Sequence, residues 1–81
     1  MIKVFCVALK EHLVQNIKTS VYISYNIEDD SITITIHSYL KPYRYTLPNI
    51  TSLIVKGVEP RYLSLDVLKG YKHYVLKYFF K

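Results

Sequence analysis

The chain has 81 residues, of which 51% are hydrophobic, and a formal net charge of +5. This length predicts one domain, residues 1–81, and the apolar content excludes a disordered chain. The charge favours a polyanionic partner, such as nucleic acid, an acidic protein surface or an anionic membrane, although it also promotes solubility.

The sequence also bears on compartment and origin. Cys6 is the sole cysteine, so no intrachain disulfide can form, and we expect a reducing, cytoplasmic location. The apolar run over residues 4–9 is too short for a signal-peptide core or a membrane span. Residues with AT-rich codons, such as Lys, Ile and Tyr, far outnumber those with GC-rich codons, which favours an AT-rich source such as a low-GC bacterium or its phage.

The first segment, residues 2–18, is predicted to be a helix, because its apolar side chains recur on one arc at helical spacing. Residues 2–9 are also rich in β-branched side chains, so a strand is the alternative there. The arc consists of Ile2, Phe5, Cys6, Leu9, Leu13 and Ile17.

Alternating segments follow. Residues 19–27 and 31–38 alternate apolar and polar side chains, and the turn Glu28-Asp29-Asp30-Ser31 between them predicts a hairpin. A third strand is predicted over residues 39–47. It begins at Pro42 or lies at a sheet edge, because proline has no N–H to donate. Within it, Tyr43, Tyr45 and Leu47 are expected to face inward, and Arg44 and Thr46 outward.

Two helices close the chain. A short one is predicted after Pro48-Asn49 and ends at Gly57. The last runs from about Leu65 to Phe80, with Pro60 suited to a first turn and Ser64 a second candidate cap. Gly70 is expected opposite its apolar arc. The predicted fold is an α+β two-layer sandwich of order α-β-β-β-α-α, a three-stranded antiparallel sheet with helices on one face.

This order of elements resembles the double-stranded-RNA-binding fold, including small toxins of that fold, and it also occurs in some phage-encoded anti-CRISPR proteins. Two motifs depart from that resemblance. His37 follows Thr35-Ile36, whereas the toxins have a Gly-Ser pair before their histidine. Ser64-Leu65-Asp66 lies where the RNA binders open their last helix with lysines. The order alone assigns neither family nor function.

A cationic stripe on the last helix is the strongest candidate site. Lys69, His73, Lys77 and Lys81 recur every four residues and therefore share one side of a helix. Lys72 lies off the stripe, and Leu76 and Phe80 stand beside it. The stripe is consistent with a phosphate-binding surface, and the alternative is a solvated face whose lysines complement the helix dipole.

A second candidate site is the segment Tyr39-Leu40-Lys41-Pro42-Tyr43-Arg44-Tyr45. Tyrosines interleaved with cations can stack bases and bind phosphates, and the same composition marks protein interfaces. The alternative is that Tyr43 and Tyr45 pack on the helices. Lys41 and Arg44 then stay available.

Catalysis is not expected. His12, His37 and His73 show no metal-ligand spacing, and two glycines cannot build a phosphate-binding loop. We expect Cys6 to be an inert thiol, and the acidic turn to be a hairpin tip that binds no cation. We therefore expect no enzyme activity, no cofactor, no metal and no small-molecule substrate.

The sequence favours a small non-enzymatic binding protein, of phage or mobile-element type, that docks a basic, tyrosine-rich surface on nucleic acid or a nucleoprotein complex. The alternative is a protein–protein module, either a homodimer or an inhibitor of a host enzyme such as an anti-defence protein. Membrane attachment through the last helix is the weakest interpretation, because its apolar arc must cover the sheet.

Overall fold

The computed structural model describes residues 1–38 and 41–79. Its elements are α1 (Ile2–Asn16), β1 (Val21–Asn26), β2 (Ser31–Ile36), β3 (Tyr43–Leu47), α2 (Ile50–Val55) and α3 (Pro60–Phe79). This order, α-β-β-β-α-α around one antiparallel sheet, confirms the predicted α+β class.

The sheet has the order β1-β2-β3, so the central strand β2 supplies the middle of the core. Ile34 pairs with Ile23 on one side and with Tyr45 on the other. Ile32, Ile34 and Ile36 are fully buried under the helices, whereas Thr33 and Thr35 alternate to the opposite face. The sheet is therefore apolar on one face and polar on the other, as the alternation predicts.

Residues 2–9, for which the sequence allowed a helix or a strand, are helical, because α1 begins at Ile2. Phe5, Leu9 and Leu13 recur every four residues and are buried against the sheet and α3. The helix ends at Asn16, two residues before the predicted end. Ile17 turns to an extended conformation there and stays buried.

A polar corner joins the hairpin to α2. Asp30 has a positive φ of 51°, which its short side chain tolerates. Its carboxylate accepts hydrogen bonds from Thr51 Oγ1 at 2.6 Å, Thr51 N at 3.1 Å and Tyr25 Oη at 3.2 Å, while its carbonyl accepts one from Ile50 N. Asp30 thus serves as the missing cap of α2, whose own N-cap Asn49 makes no side-chain bond.

Gly57 ends α2 as predicted. It has a φ of 78°, and its N–H and that of Val58 bond back to the carbonyls of Ile54 and Leu53. This is the hydrogen-bond pattern of a Schellman motif.

The last helix begins at Pro60, not near Leu65, so the prediction for its start was five residues late. Proline fits the first helical position, where its missing N–H costs nothing. Ser64 is buried within the helix and donates its hydroxyl to the Arg61 carbonyl, so it is not a cap.

Tyrosines join α3 to the sheet. Tyr43 of β3 packs on Tyr71 and Tyr74, with ring centroids 5.9 and 5.3 Å apart, and Tyr74 continues to Tyr78 at 4.7 Å. Gly70 faces this cluster, which corrects the expectation that it lies opposite the apolar arc. A Cβ at Gly70 would overlap the Tyr43 hydroxyl, so a larger residue at this position would have to displace the Tyr43 side chain or α3.

Candidate polyanion-binding surface

The outer face of α3 carries four exposed basic side chains, Lys69, Lys72, His73 and Lys77, which we call the lysine ridge. They face solvent because Val67 and the half-buried Tyr71 and Tyr74 turn the opposite side of the helix toward the core. From Lys69 to Lys77 the ridge rises about 12 Å along the helix axis. This arrangement is the one that the four-residue spacing predicts.

The ridge lysines form no ion pair within the part of the chain that the structure describes, where Arg61–Glu59 is the one salt bridge. Asp66 lies near the ridge, in the groove that Lys69 and His73 also line, but it accepts no hydrogen bond from them there. Lys77 Nζ lies 5.9 Å from the Tyr78 ring centroid, a weak cation–π contact. The charge of the ridge therefore stays available to another molecule.

Lys41 is tied to α3 through its backbone. Its carbonyl accepts hydrogen bonds from Tyr74 Oη, at 2.6 Å, and from Ser38 Oγ. These bonds hold Lys41 against the second half of α3, while its side chain remains exposed. The structure thus ties one predicted cation of the second segment to α3 through its backbone, on the tyrosine side of the helix.

Arg44 lies elsewhere. It alternates with Tyr43 and Tyr45 and so points from the polar face of the sheet, away from α3. Its cross-strand neighbour is Thr35, which pairs in turn with the exposed Tyr22. The cations predicted as one surface therefore occupy two opposite faces of the molecule.

Two grooves flank the ridge, and Lys69 and Lys72 line both. The strand groove, between α3 and β3, is lined by Tyr43, Tyr45 and Asp66 among others. The helix groove, between α3 and the end of α1, has a volume of about 700 Å³. Its lining residues are Asn16, Ile17, Lys18, Thr19, Leu65, Leu68, Lys69, Tyr71, Lys72 and Val75.

Two leucines stand exposed among the ridge cations. Leu65 keeps 60% of its surface in water and Leu76 keeps 52%. The sequence pattern singled out Leu76 beside the stripe, and the structure adds Leu65, about three turns earlier on the same side of α3. Large apolar side chains at the centre of a charged face are typical of a protein-binding surface.

Several of the predicted site residues lie where the structure is not described. Lys81 of the stripe, Phe80 beside it, and Tyr39 and Leu40 of the second segment lie outside the described residues. Sequence reasoning missed Lys18 and Asp66 as neighbours of the ridge. Only the packing of α1 on α3 places Lys18 there, so periodicity within one helix carried no signal for it.

No metal-binding cluster of three His, Cys, Asp or Glu side chains occurs over residues 1–38 and 41–79. Cys6 is half-buried, and burial raises the pKa of its thiol, which disfavours the reactive thiolate.

The Thr51 side chain lowers the pKa of Asp30 by donating a hydrogen bond to its carboxylate. In the hairpin tip, Asn26 binds Asp29 through Nδ2.

None of the helices in the described ranges has the length and apolar content needed to cross a membrane. No protein-family model, curated protein or solved structure matches this chain.

Proposed function

We propose that this chain is a non-enzymatic binding protein that docks the lysine ridge of α3 on nucleic acid, alone or within a nucleoprotein complex. The observation that carries the proposal is a set of exposed ammonium groups on one helix, none paired with a carboxylate in the described residues. Lysines in this state gain most from phosphate, because binding releases the counterions condensed on nucleic acid.

Two further features support nucleic acid. The strand groove beside the ridge exposes parts of Tyr43 and Tyr45, aromatic rings of the kind on which bases stack. The exposed Lys41, whose carbonyl accepts a hydrogen bond from the Tyr74 hydroxyl of α3, adds a further cation beside that helix. The Tyr43 ring of the first feature and the Tyr74 hydroxyl of the second both belong to the tyrosine cluster between α3 and β3.

A salt titration tests this proposal. Fluorescence anisotropy with labelled duplex and single-stranded DNA and RNA should give an affinity that falls steeply between about 50 and 200 mM salt. Replacing Lys69, Lys72 and Lys77 together by Gln should make the log–log slope shallower by about two to three.

The matched control replaces Lys3, Lys10 and Lys56 by Gln. These lysines are also exposed but lie on α1 and just after α2, so the variant has the same net charge without altering the ridge. We expect it to keep most of the slope. Equal losses in both variants would mean attraction by net charge alone, and no binding by the wild type at low salt rejects the proposal.

A second candidate function is a protein–protein module, either a homodimer or an inhibitor of a host enzyme. The exposure of Leu65 and Leu76 among the lysines favours it, because phosphate contacts would leave both leucines in water. Analytical ultracentrifugation separates the two forms. A monomer at high concentration excludes the homodimer and retains the inhibitor.

A further inference from the structure

The helix groove joins an apolar floor to a cationic rim. Ile17 is buried at its base, and Leu68 and Val75 are half-buried beside it. Lys18 lies at the α1 side, and Lys69 and Lys72 lie at the α3 side. No carboxylate lines this groove in the described part of the chain, whereas Asp66 lines the strand groove. The two sides of the ridge therefore differ in chemistry.

We propose that the helix groove binds an acidic, amphipathic helical segment of a partner protein. The inference rests on the second candidate function, a protein partner, and is independent of nucleic-acid binding. The apolar side chains of such a segment would cover Leu65, Leu68 and Val75, and its carboxylates would meet the three lysines.

The dimensions of the groove suit a helix. Leu65 to Val75 spans about 15 Å along α3, which a partner helix covers in about three turns. Partner helices in such grooves place apolar anchors at i, i+3 or i+4, and i+7, and three turns accommodate these anchors.

The groove lining argues against a nucleobase as the occupant. Bases stack on flat rings, whereas the apolar lining residues of the helix groove are four aliphatic side chains and one tyrosine. Tyr71, the one aromatic residue among the described residues of its lining, meets the Tyr43 ring edge-on, at an interplanar angle of 65°. The aliphatic lining matches leucine or isoleucine side chains, and the strand groove offers more tyrosine to a base.

The two ligand classes share part of the surface. Lys69 and Lys72 belong to the ridge and also line the helix groove, whereas Lys77 belongs to the ridge alone. An acidic peptide in the groove should therefore compete with nucleic acid on the ridge, and a change at Lys77 should affect only the nucleic acid.

The test uses a fluorescein-labelled synthetic peptide of about 14 residues with leucines at i, i+3, i+7 and glutamates elsewhere. Its control has the same composition with the leucines scrambled. We expect the patterned peptide to bind the wild-type chain at least about tenfold more tightly than the control. Equal binding of both peptides overturns the proposal, because it shows charge attraction alone.

Two matched variants locate the peptide. Leu65→Ser should weaken peptide binding about fivefold or more, because Leu65 lies in the groove. Val55→Ser makes the same apolar-to-polar change at an exposed position on α2, outside the groove, and should leave binding unchanged. Equal losses in both variants, or amide shift changes in NMR spectra away from residues 16–19 and 65–75, would overturn the assignment.

Lys77→Gln separates this proposal from the nucleic-acid proposal. It should reduce affinity for single-stranded DNA and leave peptide affinity unchanged. If instead the peptide fails to bind and Leu65→Ser weakens DNA binding, the groove belongs to a nucleic-acid site and the peptide proposal is rejected. If the peptide binds and DNA does not, the groove proposal stands and the nucleic-acid proposal fails.

Discussion

The polar corner around Asp30 and the lysine ridge of α3 use their charges in opposite ways. At the corner, the Asp30 carboxylate accepts hydrogen bonds from both the backbone and the side chain of Thr51. On the ridge, the lysines have no carboxylate partner in the described residues. The corner therefore contributes to the fold, while the ridge contributes charge that the fold does not use.

The same contrast appears among the other acidic residues. Asp29 is bound by Asn26, and Glu59 pairs with Arg61 at 2.6 Å. Of the chain's acidic groups, those with described partners lie in turns and at the start of α3. None of these contacts involves a ridge lysine, so none of them neutralises the ridge. Substitutions at the corner should change stability, and substitutions on the ridge should change binding.

The largest stability effect is expected at Gly70, on the side of α3 that faces Tyr43. Gly70→Ala would place a methyl group against the Tyr43 hydroxyl. We expect a loss of about 1–3 kcal/mol from overpacking, offset in part by about 1 kcal/mol of helix propensity. Urea unfolding measures the net change.

Tyr43→Phe supplies the control for Gly70→Ala, because it removes the hydroxyl that the new methyl group would meet. In this background, Gly70→Ala should cost less than in the wild type, so the double-mutant cycle should show coupling. Strictly additive effects would show that the hydroxyl is not the obstacle, and that α3 is positioned by other contacts.

The next effect is expected at Gly57, at the end of α2. Its φ of 78° disfavours a side chain, although a Cβ there would meet no atom within 4 Å. Gly57→Ala should therefore cost about 1 kcal/mol for backbone strain alone. Lys56→Ala, at a neighbouring residue with ordinary helical geometry, is the control and should be nearly neutral. Equal thermal midpoints for both variants would contradict this.

A pH-dependent effect is expected at Asp30. Its pKa is lowered in the fold, chiefly by the hydrogen bond from the Thr51 side chain. The folded state therefore binds this proton less readily than the unfolded state. The resulting stabilisation is complete above the unfolded value of about 4 and is lost as pH falls through the lower, folded value.

Asp30→Asn tests this linkage, because asparagine also tolerates a positive φ and has no acidic proton. Denaturation midpoints measured from neutral pH downward should fall less steeply in the variant than in the wild type. Parallel profiles would show that other carboxylates cause the acid sensitivity, and that the corner is not where charge stabilises the fold.

The smallest stability effect is expected on the ridge. Replacing Lys69, Lys72 and Lys77 by Gln should change the free energy of unfolding by less than about 0.5 kcal/mol, because exposed substitutions remove no packing. Urea unfolding beside the binding titration checks this. A loss comparable to that of Gly70→Ala would mean that the ridge lysines have a role in the fold.

The sequence predicted the sheet well, because alternation fixes which face of each strand is buried. The three isoleucines of β2 are buried as their spacing requires. The start of α3 was less predictable, since Pro60 and Ser64 both fit a helical start and only tertiary packing decides between them. Gly70 was misplaced because periodicity does not reveal that a tyrosine from another element approaches the helix backbone.

The candidate site was predictable only in part. The spacing of Lys69, His73 and Lys77 is a local property of one helix, so the ridge could be predicted from this spacing. The distance between the ridge and Arg44 could not, because it depends on the sheet lying between them. The helix groove was also beyond the sequence, because it exists only where α1 crosses α3 and brings Lys18 to Lys69 and Lys72.

The bond between Asp30 and the start of α2 also bears on how the chain folds. A helix of six residues is too short to persist by itself in water. Its first amide groups are held by a residue of the β1–β2 turn, so α2 can form stably only once that hairpin exists. The two elements should open as one cooperative unit, with the Thr51 amide exchanging its hydrogen for deuterium only when the hairpin separates from it.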